Sequence, residues 1–292
     1  MLIHTSKSPN HGQWKPKQRG PLSAVQYAFR RNAERLGIDP DKVKLYFPMW
    51  EGAGGLTDIC GRYSTATTPG TREGYLGLKF PNISYAPINF GTAQIGLDDE
   101  MSVLFTGHPS VYPNSSRLAA KHSGVIYGWT IIYAASGISF VASRVSNSYW
   151  IGSGAIPISP FNNSYIFSIG SGKISSSSKD ATSSANFTGS IRDSTQPFYL
   201  FSDPINTNNK FADQINQFLL SSERFNDSTS DVLFAAPYAL LMPVSRPVFF
   251  DLGTTPINTY TLKALNGFEG TLKKLNGTPA GILKKYINGG WA

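Results

Sequence analysis

Hydrolysis of a glycosidic bond by paired acids needs two carboxylates converging on it, and on a strand that means acids at i and i+2 or i+4, which share a face. No strand-like segment of the 292 residues carries that spacing. Asp98-Asp99-Glu100 is the acidic cluster, and its place just before the apolar run Met101–Phe105 favours a solvated loop. Asp98 and Asp99 are the candidate Ca²⁺ ligands beside loop carbonyls, the weaker reading of the same residues. The four histidines, His4, His11, His108 and His122, show neither His-x-x-x-His nor Glu-x-x-His spacing, so no metal centre is expected. Gly-x-Ser-x-Gly is absent. The pairs Gly152-Ser153-Gly154 and Gly170-Ser171-Gly172-Lys173 complete no phosphate loop and read as strand-connecting turns. Cys60, the one cysteine, lacks a neighbouring histidine and reads as a small semi-buried residue; alone, it rules out an intramolecular disulfide and any multi-cysteine zinc site. The expectation is that the chain is not an enzyme and holds no cofactor.

Binding is the better prospect. Tyr46, Trp50, Tyr63, Tyr75, Tyr85, Trp129, Tyr149 and Trp150 supply rings that stack on the C–H faces of sugars wherever they reach the surface. Most lie in strand-like runs and are expected in the core. The adjacent pair Tyr149-Trp150, placed in a loop, is the candidate carbohydrate site.

The elements that would position these residues follow from pattern. With 40% hydrophobic, 13% aromatic and 15% charged residues, 28 Gly and 19 Pro, the composition suits a turn-rich β protein. One helix is expected over Pro21–Leu36, where Leu22, Val25, Phe29, Ala33 and Leu36 recur at three- or four-residue steps and Gly37 supplies a stop. Its basic face invites a nucleic-acid reading, but a solvated face opposite a docked stripe is preferred. Strands are expected at Val43–Phe47, Gly77–Phe80, Met101–Phe105, Trp129–Tyr133, Ile138–Ala142, Tyr165–Ile169, Phe198–Phe201 and Gln214–Leu220. So many strands with little helical pattern between them predict an all-β, two-sheet antiparallel jelly-roll sandwich. Ser171–Ser190 reads as a hairpin tip or surface loop, too polar for a core, and Asp231–Ala236 as a short helix closed by Pro237.

Charge belongs to the ends. The chain carries +8 in total: residues 1–50 contribute +6, 51–259 contribute −2 and 260–292 contribute +4. Residues 1–20 lack periodicity and read as an extended basic arm. Residues 260–292 repeat a Leu-Lys/Asn-Gly unit at Leu262–Gly267, Leu272–Gly277 and Leu283–Gly289, too short to bury a core without a partner surface. No apolar run reaches the roughly 18 residues of a membrane helix, and the N-terminus has no signal-like apolar region, so synthesis in the cytoplasm is expected.

Leu45-Tyr46-Phe47-Pro48-Met49-Trp50-Glu51-Gly52-Ala53-Gly54, followed by Asp58-Ile59-Cys60-Gly61, resembles the opening strand and turn of bacteriophage and prophage concanavalin A-like (laminin-G-like) jelly-roll domains. Cys60 stands where that turn usually has serine. Gly74–Phe80 with Tyr85, Met101–Phe105, Phe198–Phe201, Gln214–Phe225 and Ser230–Pro243 are similar to later strands and the closing segment of that family, about 200 residues in the expected order. The resemblance implies a two-sheet sandwich used for carbohydrate binding or as a structural module on virions. The Glu-x-Asp-x-Glu strand of the related glucanases is missing.

The resulting expectation has three parts: a basic arm plus helix over 1–41, a sandwich over 42–245 and a repeat tail over 246–292. The function expected is a phage virion structural protein, as head decoration, fibre or tail component, displaying a lectin-like jelly roll; the alternative is a carbohydrate-binding module for host surface glycans. Lys15, Lys17, Arg19, Leu262, Leu272 and Leu283 are the expected assembly contacts, other virion proteins the partners, and a symmetric homo-oligomer such as a trimer the expected form. Membrane and nucleic acid are not expected partners.

Overall fold

A computed structural model describes residues 22–49, 56–64, 77–80, 88–90, 99–109, 116–123, 127–134, 136–145, 149–159, 163–192, 194–203, 205 and 213–243, with short strand pieces elsewhere. In chain order the strands are β1 Ser6–Lys7, β2 Trp14–Lys15, β3 Val43–Phe47, β4 Thr71–Arg72, β5 Leu78–Phe80, β6 Ile88–Asn89, β7 Met101–Pro109, β8 Ser116–His122, β9 Gly128–Ala134 and β10 Gly137–Ser143. They continue with β11 Trp150–Gly152, β12 Asn163–Gly170, β13 Lys173–Ser178, β14 Thr182–Asn186, β15 Tyr199–Leu200, β16 Asp213–Ser221, β17 Tyr286–Ile287 and β18 Gly290–Trp291. Helix α1 spans Leu22–Arg35 and α2 Asp227–Ala235, followed by a 3₁₀ turn at Ala239–Leu241.

The chain divides into two compact units, Thr5–Val244 and a second formed by Met1–His4 with Ser245–Ala292. In the second, β17 pairs antiparallel with β18 beside the last Asn-Gly. Leu262, Leu272 and Leu283, like Lys17 and Arg19, lie outside the described residues; Lys15 is described only as backbone in β2. The arm read as extended contains a strand pair, Ser6 opposite Lys15 and Lys7 opposite Trp14.

Two antiparallel sheets build the larger unit. One runs β11-β10-β9-β8-β15-β6; the other runs β14-β13-β12-β7-β16-β5-β4, with β3 sharing the far edge of β16. Alternation along each strand divides the residues between two cores. Met101, Val103 and Phe105 of β7, Tyr165, Phe167 and Ile169 of β12, and Phe218 and Leu220 of β16 point between the sheets against Trp129, Ile131, Tyr133 and Phe140. Leu104, Ile166, Leu219 and Tyr46 point the other way, into a second core closed by Phe29 and Ala33 of α1, Leu233 of α2 and Leu240. Helix α1, grouped with the arm by sequence, thus lays its apolar stripe on the eight-stranded sheet. Its Asn32 amide donates to the Leu240 and Met242 carbonyls (3.3 and 2.8 Å), tying helix to 3₁₀ turn.

A polar network lies within this second core. The β16 register shifts between Ile215 and Gln217, a bulge that lets two successive amides serve the helical side. Gln217 Nε2 donates to Thr106 Oγ1 and the Pro237 carbonyl (2.8 and 2.6 Å), while its Oε1 accepts from Tyr46 Oη (2.9 Å); Asn216 Nδ2 donates to Tyr238 Oη (3.0 Å). Asp58, fully buried, accepts from the backbone N–H groups of Tyr46, Cys60 and Arg62 (2.7, 3.0 and 3.2 Å), and Gly61 turns at φ 74°. The Asp-x-Cys-Gly motif is therefore an acceptor for the free edge of β3. Burial raises the Asp58 carboxyl above its usual range against the pull of those three donors.

One element differs from expectation. Ser171–Ser190, expected as a hairpin tip or surface loop too polar for a core, holds the full hairpin β13–β14 at the edge of the larger sheet and reaches the core. Ile174 and Phe187 anchor it in the core, and its inward serines are satisfied there. Ser176 Oγ lies 2.6 Å from Ser153 Oγ, and both accept from the Phe140 N–H of the opposing sheet (3.0 and 3.2 Å). A hydroxyl that finds such partners can be buried at little cost, which composition alone does not register.

Candidate functional site

The six-stranded sheet brings together what the sequence keeps apart. Cross-strand partners share a face, and one row crosses four strands at the sheet's end: His122 of β8 opposite Gly128 of β9, then Ser143 of β10 opposite Trp150 of β11. Ser143 Oγ donates to the Gly128 carbonyl (3.4 Å), linking the two middle members. Gly128 and Ser143 are small, which leaves room above them for the flanking rings. The His122 and Trp150 rings meet edge-on, with centroids 5.2 Å apart at 78°. Gly128 has φ 80°, and a Cβ there would collide with the Lys121 carbonyl, so glycine is required at the turn into β9.

Behind this row is a buried charge cluster. Asp203 Oδ1 lies 3.3 Å from His122 Nε2 and Oδ2 lies 3.4 Å from Arg117 Nε, with side-chain exposures of 5%, 6% and 14% for Asp203, His122 and Arg117. The Ile205 N–H also donates to Asp203 Oδ1 (2.7 Å). Burial lowers the Arg117 guanidinium from its usual value, and Asp203 opposes that shift. On the core-facing side of β8, Lys121 is buried opposite Trp129 and donates to the Gln196 carbonyl (3.3 Å).

The accessible rim lies beside the row. Arg192 donates its N–H to the Ser143 carbonyl, and its own carbonyl accepts from Gly128 N–H, both at 2.8 Å. The neighbouring bridge Arg144–Ile191 fixes the register, so Arg192 stands opposite Ser143 on the face that Trp150 and His122 share. Its guanidinium sits 4.1 Å from the centroid of the Tyr127 ring and donates to Tyr127 Oη (3.1 Å). Arg144 donates to Thr188 Oγ1 (3.0 Å). Tyr149 is 63% exposed, next to the half-buried Trp150. The row and rim therefore present part of an indole and a guanidinium held on a phenol, with the exposed Tyr149 next in the chain to the indole, groups that can stack on a sugar ring and bond its substituents.

The other sequence candidates fall elsewhere. Tyr46 and Trp129 are core residues, Tyr63 is half-buried against the inter-sheet core, and Trp50, Tyr75 and Tyr85 lie outside the described residues. Trp150 itself is the first residue of β11, not part of a loop. Asp99 is exposed and Asp98 lies outside the described residues; among the described residues no three His, Cys, Asp or Glu side chains gather around a common point. Cys60 is half-buried, and burial with the nearby Asp58 raises its thiol well above the ordinary value. Tyr127, Arg192, His122 and Asp203 were not singled out by sequence, being up to 81 positions apart with no shared motif. A groove of 750 Å³ lies beside the helices, lined by Arg35, Lys179, Asp180 and the end of α2, a mixture that selects no class of ligand.

No protein-family model matches the chain, and no curated protein matches it in sequence. Solved structures match its fold. Trypanosoma rangeli sialidase superposes with a TM-score of 0.51 at 11% identity, over 75% of this chain and 39% of the sialidase; the same sialidase in complex with sialic acid gives 0.51 at 10% identity with the same coverage. Domain 4 of AbnA, a GH43 extracellular arabinanase from Geobacillus stearothermophilus, in complex with arabinotriose, matches with a TM-score of 0.49 at 12% identity, over 66% of this chain and 98% of that one. The chain spans about two fifths of the length of the sialidases it matches. The sialidase matches overturn the expectation that the chain is not an enzyme, because its fold recurs within sialidase chains. Catalytic groups brought together from separate strands obey no local spacing, so a spacing criterion does not decide the matter. What the likeness establishes is the two-sheet antiparallel sandwich.

Proposed function

We propose that the sandwich binds carbohydrate at the end of its six-stranded sheet, with Tyr149 and Trp150 as the stacking surface. The observation that carries this reading is the 63% exposed Tyr149, next in the chain to Trp150, which shares a sheet face with Arg192 on its Tyr127 ring. A large aromatic exposed to that degree next to fixed polar groups matches what saccharide recognition requires: an apolar face for C–H groups and directed partners for hydroxyls. The test is a glycan array with the full chain and its Tyr149→Ala/Trp150→Ala variant, whose folding is checked by thermal melting. Binding by the parent and loss in the folded variant supports the site; unchanged binding refutes it.

A second reading, attachment of the sandwich to a phage particle through its termini, draws on the separate unit that the two chain ends form and on their excess of positive charge. Mass spectrometry of purified virions tests it. Presence of the chain in infected-cell lysate but not in particles would refute it.

A further inference from the structure

We infer that the saccharide bound at this rim is anionic, carrying a carboxylate or sulfate, and that Arg192 is the residue that selects it; this rests on the carbohydrate reading above. Arg192 is held in place from both ends. Its backbone is bonded between Ser143 and Gly128 at 2.8 Å on each side, and its guanidinium is stacked on Tyr127 at 4.1 Å with one bond to Tyr127 Oη. Stacking occupies the face of the guanidinium and leaves most of its five in-plane N–H donors for a planar anion, a fork that carboxylate and sulfate oxygens fit. Little side-chain entropy is left to lose on binding.

The charge inventory points the same way. Among the described residues neither Arg192 nor Arg144 forms an ion pair. Among the described residues the acid on this face, Asp203, is buried and already engaged by Arg117, His122 and the Ile205 N–H. The region 51–259 carries a net −2, yet among the described residues Arg192 stands on this face outside any ion pair. A neutral sugar would use the stacking surface and leave Arg192 without a counter-ion; an anionic sugar uses both. The register, which sets Arg192 and Trp150 on opposite sides of Ser143 and on one face, lets a single short oligosaccharide reach ring and cation together.

The experiment is titration calorimetry of the full chain with trigalacturonate and with neutral galactotriose, for the parent and for Arg192→Gln, Arg192→Lys and Tyr149→Ala. The parent should bind the uronate about tenfold or more tightly than the neutral sugar, the scale of one charge-assisted hydrogen-bonded contact. Arg192→Gln should remove that preference and leave galactotriose binding within about twofold, and Arg192→Lys, which keeps charge but not the fork, should fall between. Tyr149→Ala should weaken both ligands together. Raising salt should erode the uronate preference. Equal binding of the two sugars by the parent, or a preference that survives Arg192→Gln, overturns the inference while the carbohydrate reading stands. Binding of neither sugar, with none by any sulfated or neutral glycan on the array, overturns both. Binding of duplex DNA that trigalacturonate does not displace would assign the cation to nucleic acid and also overturn the inference.

Discussion

Replacing Asp58 tests whether the turn after β3 is held by a buried acceptor. In Asp58→Ala three amide donors lose their partner at once: Tyr46 N–H within a buried strand, and Cys60 and Arg62 N–H at a surface turn. The Tyr46 donor cannot reach water, so it carries a desolvation penalty of about 1–3 kcal/mol, and the other two lose about 1 kcal/mol each as water replaces the carboxylate. The sum is about 3–5 kcal/mol. For a folded unit of this size each kcal/mol shifts the melting temperature by about 2–4 °C, so a fall of about 6–20 °C is expected by calorimetry. Asp58→Asn keeps Oδ1 for Tyr46 and Cys60 but turns an NH₂ toward Arg62 N–H, at a cost of about 1–2 kcal/mol. Burial raises the folded-state carboxyl above the ordinary aspartate value of 3.8. The folded state thus holds this proton more tightly than the unfolded state. The group's contribution is full below about pH 4 and is lost as pH rises through the raised folded value. The cost of Asp58→Asn should therefore be largest at the acid end and shrink as pH rises. Asp58→Ala melting within about 2 °C of the parent would refute the acceptor role, and a cost growing with pH would refute the burial argument.

Other outcomes follow from single contacts. Gln217→Leu keeps the volume but strands Tyr46 Oη and the Pro237 carbonyl, and should lower stability by about 2–4 kcal/mol in urea melts; a neutral result would mean the network is dispensable. Gly128→Ala should destabilise by at least about 2 kcal/mol, because φ 80° and the Lys121 carbonyl both oppose a Cβ, and Trp150 fluorescence should shift as the row His122–Trp150 is displaced. The raised Cys60 thiol should react with iodoacetamide at pH 8 much more slowly in the folded chain than in urea; equal rates would refute its burial.

The alternation of large apolar residues with polar ones made β3, β7, β9, β10, β12 and β16 legible in the sequence, because a strand half-buried on a core must repeat every two residues. The three- and four-residue steps from Leu22 to Leu36 marked α1 for the same reason at a different period, and Gly37, at φ 73°, ends it as read. Strand β8 was missed. Ser116-Arg117-Leu118-Ala119-Ala120-Lys121-His122 has three basic side chains in seven residues, and only folding supplies Asp203 and the Gln196 carbonyl that make their burial tolerable. The serine hairpin β13–β14 reads locally as a hairpin tip or surface loop with no place in a core, because no local signal records that Ser176 meets Ser153 and the Phe140 N–H across the sandwich. The Tyr149-Trp150 half of the candidate site was visible as adjacent rings. Its other half depends on Arg192 arriving opposite Ser143 and beside Tyr127, a contact between residues 65 apart in sequence that is set by the pairing order of strands. Periodicity is written locally, so the sequence determines which segments are strands and which side of each is apolar. Which strands become neighbours is decided by the packing of all of them at once, and with it the partners of every buried charge and the side chains that share one rim.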